Sequence, residues 1–276
     1  MDKNAITKVE KKHNGKKYEF PLGCSADNVD ETENREFVTP DMKKAIKKIG
    51  EDLTGKADVL TVSRKVFVSG SGSDETGDGT ENNPYREIEK ALENVPIING
   101  NCEYEVSVAA GTYKGFIAKN ISATITLTGD ITITGRDNSS YAVEVDDSNI
   151  KFAGNDHVVN ITDDSGGALL YIHNGGDLNV YKGIIKLTGS GTERGIYIVS
   201  SAGFSQTEAR ISFDNLDTAI QVGTNSMFYS DALYGSVNNG IIATNGGRVA
   251  YDTNNMNATT LVITNSGGRV YTGAQE

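Results

Sequence analysis

The sequence predicts a mainly β protein whose strands coil into a parallel β-solenoid, and three observations support this fold class. The 276 residues include 31 glycines, 4 prolines and no tryptophan, which is typical of short strands joined by tight polar turns. From Cys102 onwards, short apolar runs alternate with Gly, Asn, Asp and Ser, and no helical pattern interrupts them. These runs also recur at a nearly constant spacing, as they do in solenoids.

Four segments in the C-terminal half share one layout: an apolar strand, a polar corner and a second strand. They begin at positions 168, 194, 218 and 239, so that the intervals between successive starts are 26, 24 and 21. A fifth copy begins at position 261, which is 21 residues after the matching position 240. In this copy Gly246-Gly247-Arg248-Val249 recurs as Gly267-Gly268-Arg269-Val270. At about 3.3 Å per strand residue, this length suits one coil of a parallel β-helix. Leucine-rich repeats would need a leucine and asparagine pattern that the chain lacks, and an antiparallel sandwich would not repeat itself in this way.

Residues 1–62 are predicted to form a separate α+β region. Asn14-Gly15 lies between two β-type runs and favours a type I′ hairpin. Thr39, Pro40 and Asp41 are typical of a helix start, and apolar residues then recur on one helical face at Met42, Ala45, Ile46, Ile49 and Leu53. This helix is too small to bury its apolar face alone, so it must pack on the hairpin, on the rest of the chain or on copies of itself.

A polar loop and a second helix lead into the solenoid. Asn83 is predicted to cap this helix and Pro84 to occupy its first position. Its apolar stripe consists of Tyr85, Ile88, Leu92 and Val95. Because an open solenoid end exposes strand edges and core, we expect this helix to cover the first coil.

The acidic loop before that helix invites a calcium or phosphate site, with Asp74, Glu75 and Asp78 as candidates. An EF-hand loop that began at Asp74 would need a glutamate at its twelfth position, where this chain has Tyr85. No Gly-Lys-Ser/Thr sequence follows, and three carboxylates would repel a phosphate. The loop is therefore interpreted as a solvated turn whose glycines supply positive φ angles.

Composition and charge exclude several classes of partner. The net charge of −11 disfavours nucleic acid and anionic membranes, and no apolar run is long enough to span a bilayer. The N-terminus lacks the apolar segment of a signal peptide. Cys24 and Cys102 form no metal-spaced pair, so we expect reduced thiols in a chain made in a reducing cytosol. The acidic surface would suit a neutral or cationic polymer better than a polyanion.

The stretch VFVSGSGSDETGDGTENNPYREIEKALENVP (66–96), followed by YEVSVAAGTYKG (104–115), resembles the opening of pectin-lyase-like right-handed β-helices. Within that group it resembles the version in bacteriophage tail fibres, tailspikes and other virion appendages. The shared pattern is a strand, a Gly-Ser-Asp loop that ends in Asp-Gly-Thr, then Asn-Pro-Tyr, a capping helix and a strand before AAGTY. The segments FVTPDMKKAIKKI and SGGRVYTGAQ resemble parts of such appendages more loosely. The pattern is specific for the fold rather than for an activity.

The resemblance implies a homotrimeric tail fibre, spike or receptor-binding protein of a phage or a phage-tail-like bacteriocin particle. Residues 1–62 would attach to the baseplate or vertex, and residues 63–276 would form a right-handed parallel β-helix that recognises a bacterial surface glycan. Such a protein would be synthesised and assembled in the bacterial cytoplasm and would reside in the virion or particle. The resemblance carries over no catalytic, cofactor-binding or metal-binding residues to this chain. The last residues, YTGAQE, offer no evident cap for the final coil.

Two alternatives remain open, a polysaccharide depolymerase or lyase on the same fold and a connector that holds another fibre protein. An enzyme would need paired carboxylates on one face. The candidates are Asp146-Asp147, Asp163-Asp164, Glu193-Arg194, Glu208-Arg210, and Asp214 with Asp217. The last pair is the least typical of solvated turns, because it lies on a strand and at its exit.

Histidines and tyrosines are also candidates for a site. His157 and His173 lie at the ends of apolar runs, which predicts histidines of turns or of the core edge. Six tyrosines recur through the coils, at Tyr171, Tyr197, Tyr229, Tyr234, Tyr251 and Tyr271. They are predicted to stack along the solenoid, and the alternative is a platform for carbohydrate.

Overall fold

The computed structural model describes residues 8–13, 16–21, 62–97 and 102–272. The chain divides into two compact units, residues 1–56 and 57–276. In the first unit, β1 (Lys8–His13) and β2 (Lys16–Pro21) pair in antiparallel fashion, with His13 opposite Lys16. The predicted hairpin around Asn14-Gly15 is thereby confirmed. The helix predicted after Thr39 lies outside the described residues.

The second unit is mainly β, with one short helix, α1 (Ile88–Leu92), among its described residues. Its strands are β3 (Arg64–Val68), β4 (Tyr104–Val108), β5 (Gly111–Lys114), β6 (Phe116–Lys119), β7 (Ser122–Leu127), β8 (Ile131–Thr134), β9 (Tyr141–Asp146), β10 (Asn149–Ala153), β11 (Val158–Thr162), β12 (Ala168–His173), β13 (Asp177–Thr188), β14 (Arg194–Ile198), β15 (Gly203–Val222), β16 (Met227–Ala243), β17 (Arg248–Thr264) and β18 (Arg269–Thr272).

These strands form one curled parallel sheet that is organised in three ladders. Ladder one runs through β3, β4, β7, β10 and the first part of β13. Ladder two runs through β5, β8, β11 and the later part of β13. Ladder three runs through β6, β9, β12, β14 and the end of β15. The long strands β15, β16 and β17 bend through all three ladders.

The register of ladder three confirms the repeat that the sequence predicts. Ala168 pairs with Arg194, Arg194 with Thr218, and Thr218 with Asn239, so that the four predicted starting positions lie side by side. Ile242 pairs with Ile263 in the next coil, which continues the repeat at its shortest interval. A parallel sheet that returns to the same position after so few residues is compatible with a β-helix.

Apolar side chains from successive coils lie above one another inside the curled sheet. In ladder three, buried residues occupy equivalent inward positions on five consecutive strands, at Val143, Leu170, Ile196, Ile220 and Ile241. The next position in this row, Val262 on β17, is 39% exposed. The core therefore extends along the coils and becomes accessible at the last of them.

The repeated glycine pair has a packing reason. Gly246 has a φ angle of 77°, a conformation that glycine adopts at little cost. A Cβ atom on Gly247 would lie 2.3 Å from the carbonyl oxygen of Val222 in the preceding coil. Gly267-Gly268 repeats this arrangement one coil later. A side chain would therefore clash at Gly247, although Ser226 and Ala202 occupy the equivalent position in the two preceding coils.

Helix α1 is shorter than predicted, and the prediction of Asn83 as its cap is wrong. Tyr85 still bridges to Val68 of β3, and the helix begins only at Ile88 after an extended Glu87, so Asn83 lies too far from the first helical turn. The side-chain amide of Asn83 instead donates to the carbonyl oxygen of Thr76. The predicted apolar stripe is confirmed as buried, at Tyr85, Ile88, Leu92 and Val95. α1 contacts β3, β4, β5 and β6.

An aspartate of the acidic loop bonds the backbone that enters α1. The Oδ1 atom of Asp74 accepts hydrogen bonds from the N–H groups of Arg86 (2.8 Å) and Glu87 (3.1 Å). Asp78 accepts a hydrogen bond from the N–H of Thr80, and the bonds from Thr80 lower the pKa of Asp78. Asp78 therefore stabilises the loop, and Asp74 stabilises the segment that leads into α1. The spacing of these acids in the sequence does not reveal these roles.

Candidate functional site

The outer surface of ladder three carries a cluster of aromatic and charged side chains in mutual contact. Side chains alternate between the two faces of a strand, so Glu144, Tyr171 and Tyr197, which lie between buried residues, point outwards. Tyr141, Arg136 and Arg194 join this surface through contacts with those three side chains. We call this cluster the tyrosine face and define it as Lys119, Arg136, Tyr141, Glu144, Asp146, Tyr171, His173, Arg194, Tyr197 and Gln221.

Three tyrosines from three successive coils form a continuous stack. The ring centroids of Tyr141 and Tyr171 are 4.2 Å apart, and those of Tyr171 and Tyr197 are 5.3 Å apart. The ring of His173 stacks on Tyr171 at 4.3 Å, because residues two apart on β12 share a face. Stacking from strand to strand of the curled sheet is thus observed for Tyr171 and Tyr197. Each ring restricts its neighbours, so the stack is rigid.

The tyrosine hydroxyls in this stack have no hydrogen-bond partner among residues 62–97 and 102–272. In contrast, the hydroxyl of Tyr113 donates to the carbonyl oxygen of Ala109 at 2.7 Å. Burial raises the pKa of Tyr171 above its ordinary value, and its tyrosine neighbours in the stack add to the increase. The stack therefore offers hydroxyl groups that bond to no described residue, and that of Tyr171 is partly desolvated.

Glu144 connects the aromatic stack to a cation. Its Oε1 atom lies 3.1 Å from Nε2 of His173, and its Oε2 atom accepts a hydrogen bond from Arg136 at 2.5 Å. Arg136 also donates to the hydroxyl of Ser139. All three members of this chain, His173, Glu144 and Arg136, are largely buried side chains. The imidazole ring is therefore held in one orientation.

Asp146 lies on the other side of the histidine. It forms an ion pair with Lys119 at 2.9 Å and accepts a hydrogen bond from Asn174 at 2.8 Å, and its Oδ1 atom is 3.8 Å from Nδ1 of His173. Burial acts to raise the pKa of this carboxyl, but the bonds from Asn174 and Lys119 outweigh it and the pKa is lowered. Asp146 is consequently ionised at neutral pH.

Arg194 borders the stack on its C-terminal side. Its Nε atom donates to Oε1 of Gln221 at 2.6 Å, and its guanidinium carbon lies 5.3 Å from the centroid of the Tyr197 ring. The amide and the ring fix the guanidinium group against the sheet. The tyrosine face thus combines ordered aromatic edges with positioned donors and acceptors, which suits the binding of a hydroxyl-rich ligand.

The structure places the carboxylates proposed from sequence at corners, in loops and along strands. Asp147 occupies a corner with a φ angle of 46°, and Asp163 accepts hydrogen bonds from its own loop. Glu208 is exposed on a corner. Asp214 is exposed, and Asp217 accepts a hydrogen bond from Thr218.

Glu193 is a structural carboxylate. It is fully buried and accepts hydrogen bonds from the backbone and hydroxyl groups of Ser190 and Thr192. Burial acts to raise its pKa, yet these bonds lower the pKa to about 2. Glu193 therefore holds a loop, whereas its neighbour Arg194 points to the tyrosine face.

The other tyrosines and His157 lie elsewhere. The hydroxyl of Tyr229 lies 3.1 Å from a carboxylate oxygen of Asp231 and of Asp252, and Tyr229 belongs to ladder one. Tyr251 is buried, and Tyr271 is exposed on β18. Nδ1 of His157 lies 3.5 Å from Asp130. Of the six tyrosines named from the sequence, Tyr171 and Tyr197 belong to the tyrosine face.

The sequence interpretation missed Tyr141 and Glu144 and assigned His173 to a turn or core edge. The signal was present, because YAVEVD at position 141 precedes ALLYIH at position 168 by about one coil and pairs with it in register. The four segments that share one layout begin at position 168, and the coil that supplies Tyr141, Glu144 and Asp146 precedes them.

Within the described ranges, no three His, Cys, Asp or Glu side chains converge as metal ligands. None of the helices in those ranges is both long and apolar enough to cross a bilayer. Cys102 is a free thiol that packs against the core, and Cys24 lies outside the described residues. The chain matches no protein-family profile, no curated protein and no solved structure.

Proposed function

We propose that this chain is a glycan-recognition protein, a tail fibre or spike, of a phage or phage-tail-like particle. In this proposal the curled sheet is a right-handed parallel β-helix, with α1 over its first coil. The parallel register and the short repeat support the β-helix. The order of strand, acidic loop and helix in residues 66–96 supports the similarity to tail fibres and tailspikes.

The tyrosine face is the proposed recognition surface. The observation that carries this assignment is the stack of Tyr141, Tyr171 and Tyr197 on three successive coils, with hydroxyl groups that bond to no described residue. A rigid surface loses little conformational entropy on binding. Tyrosine edges and hydroxyls match the mixed C–H and O–H surface of a sugar, and Glu144, Asp146 and Gln221 add acceptors beside them. A polymer that lies along the ladder would contact several coils at once.

The N-terminal region would attach the protein to a baseplate or another particle protein, and the chain would assemble as a homotrimer. A two-stranded hairpin such as β1–β2 is marginally stable by itself in water. Three copies around an axis would provide the shared core that one copy lacks. Light scattering of the full chain in solution tests this point, since a monomer at micromolar concentration would contradict it.

A pull-down on isolated bacterial cell-wall polysaccharide tests recognition. We expect the double variant Tyr171→Phe/Tyr197→Phe to bind about tenfold more weakly, because it loses two hydroxyl groups and keeps both rings. Tyr181→Phe is the matched control, since Tyr181 lies on ladder one and its hydroxyl contacts Glu208. Equal binding by the wild type and the double variant would contradict the assignment of the tyrosine face.

Two carboxylates beside a histidine would also suit a depolymerase. Against this, Asp146 is held ionised by Lys119 and Asn174 and is a poor proton donor at neutral pH. The length of the polymer is therefore measured in the same experiment. If the polymer is shortened, the function is cleavage and not recognition. If its length is unchanged, the result supports recognition.

A further inference from the structure

Arg194 differs from the other cations of the tyrosine face in having no anionic partner among the described residues. Arg136 is bonded to Glu144 and Lys119 to Asp146. Arg194 contacts Gln221 and the Tyr197 ring, which are both uncharged. Its neighbours above and below in ladder three are Ala168 and Thr218.

The acid that precedes Arg194 in the sequence is already engaged. Glu193 is fully buried, and its carboxylate is bonded to Ser190 and Thr192. A guanidinium group carries five N–H donors, and only the Nε–H of Arg194 has an acceptor among the described residues. The two terminal amino groups therefore keep their hydrogen-bonding capacity.

The side chain of Arg194 is also held in place. The bond from Nε to Gln221 and the contact with Tyr197 fix the plane of the guanidinium group, and the side chain is only partly exposed. A planar guanidinium group binds carboxylate or phosphate with two parallel hydrogen bonds. Such a fixed, partly desolvated charge without a counter-ion favours an anion from outside the chain.

We propose that Arg194 forms a subsite for an anionic sugar unit, in which its terminal amino groups bind a carboxylate or phosphate and Tyr197 contacts the same unit. This inference rests on the proposed role of the tyrosine face in glycan recognition and specifies the ligand class. The net charge of −11 favours neutral or cationic polymers at long range. At contact distance the unpaired guanidinium group determines the charge of the ligand that binds, because charges beyond about 8 Å are largely screened at physiological salt.

The test is isothermal titration calorimetry of the full chain with three probes: trigalacturonate, its neutral methyl ester and an oligomer of glycerol phosphate. We expect the wild type to bind one of the anionic probes at least about tenfold more tightly than the methyl ester. Tighter binding of trigalacturonate would identify the anion as carboxylate, and tighter binding of the oligomer would identify it as phosphate.

Variants separate the role of Arg194 from that of the whole face. We expect Arg194→Gln to lose about 10- to 100-fold in affinity for the anionic probe, and Arg194→Lys to recover part of it, since lysine keeps the charge without the fork. Arg210→Gln is the control, because Arg210 is exposed on ladder two. Circular dichroism melting curves confirm that each variant is folded.

Two results would overturn the inference in different ways. If the methyl ester binds as tightly as the anionic probes and the double variant Tyr171→Phe/Tyr197→Phe weakens it, the tyrosine face recognises sugars and the Arg194 subsite is wrong. If the folded wild-type chain binds none of the probes and no cell-wall polysaccharide, the proposed function and the subsite are both wrong.

Discussion

The buried carboxylate of Glu193 gives a prediction about stability that is specific in both size and pH dependence. This side chain has no exposed surface, and four donors from Ser190 and Thr192 converge on it. Glu193→Gln keeps the shape but places amide hydrogens against some of these donors. We therefore expect a loss of free energy of unfolding at neutral pH.

The magnitude follows from the pKa. A decrease from 4.5 to about 2 corresponds to roughly 3 kcal/mol of preference for the ionised form. Ser190 and Thr192 are exposed to solvent, which screens these interactions, so we expect about 1 to 2 kcal/mol in practice.

The sign of the pH dependence is fixed by the direction of the shift. Because the pKa is lower in the folded state, the carboxylate stabilises the fold above pH 4.5, and this contribution is lost as the pH falls towards about 2. Urea unfolding of the wild type and Glu193→Gln at pH 7, 5, 4 and 3 measures the difference. The difference in free energy of unfolding between the two proteins should fall by about half or more between pH 5 and pH 3.

Asp214→Asn is the matched control. The Asp214 carboxylate is exposed, so the free energy of unfolding should change by less than about 0.5 kcal/mol. A difference between the wild type and Glu193→Gln that stays constant from pH 7 to pH 3 would refute the reasoning. So would an equally stable variant at pH 7, since the hydrogen bonds to the carboxylate would then contribute nothing.

Two further predictions concern the loop before α1 and the packing of the coils. Asp74→Ala should destabilise the protein by about 1 kcal/mol in urea unfolding, because two backbone N–H groups lose their acceptor. Glu75 is an exposed neighbour, so Glu75→Ala should change the stability little. Equal effects of the two substitutions would contradict the assigned role of Asp74. Gly247→Ala should lower the melting temperature and cost more than about 1 kcal/mol, because its Cβ would lie 2.3 Å from a carbonyl oxygen of the preceding coil. At Gly70 no atom lies within 4 Å of an added Cβ, so Gly70→Ala should be tolerated, and an equally stable Gly247→Ala would argue against the close stacking of the coils.

Local sequence patterns were sufficient for much of the fold. The hairpin at Asn14-Gly15, the buried stripe around Ile88 and the repeat from position 168 were all predicted from the sequence and agree with the strand register or burial. Each depends on turn chemistry or periodicity within one short segment, which sequence displays directly.

The cap of α1 could not be predicted in the same way. Asn83 has the residue type of a helix cap, but α1 begins only at Ile88, and Asp74 reaches the free N–H groups from within the loop. Propensity describes which residues can cap a helix, whereas the loop conformation decides which one is close enough.

The sequence by itself determined that the chain is mainly β, that it repeats at a nearly constant interval from position 168 and that glycine pairs recur at its corners. Only the tertiary structure decided that Tyr141, Tyr171 and Tyr197 share one stack and that Arg194 lies beside it without an acidic partner among the described residues. The physical reason is that the three tyrosines are separated by whole coils along the chain and become neighbours because adjacent parallel strands lie about 4.8 Å apart. Coil length and corner geometry set which side chains meet, and no single segment contains that information.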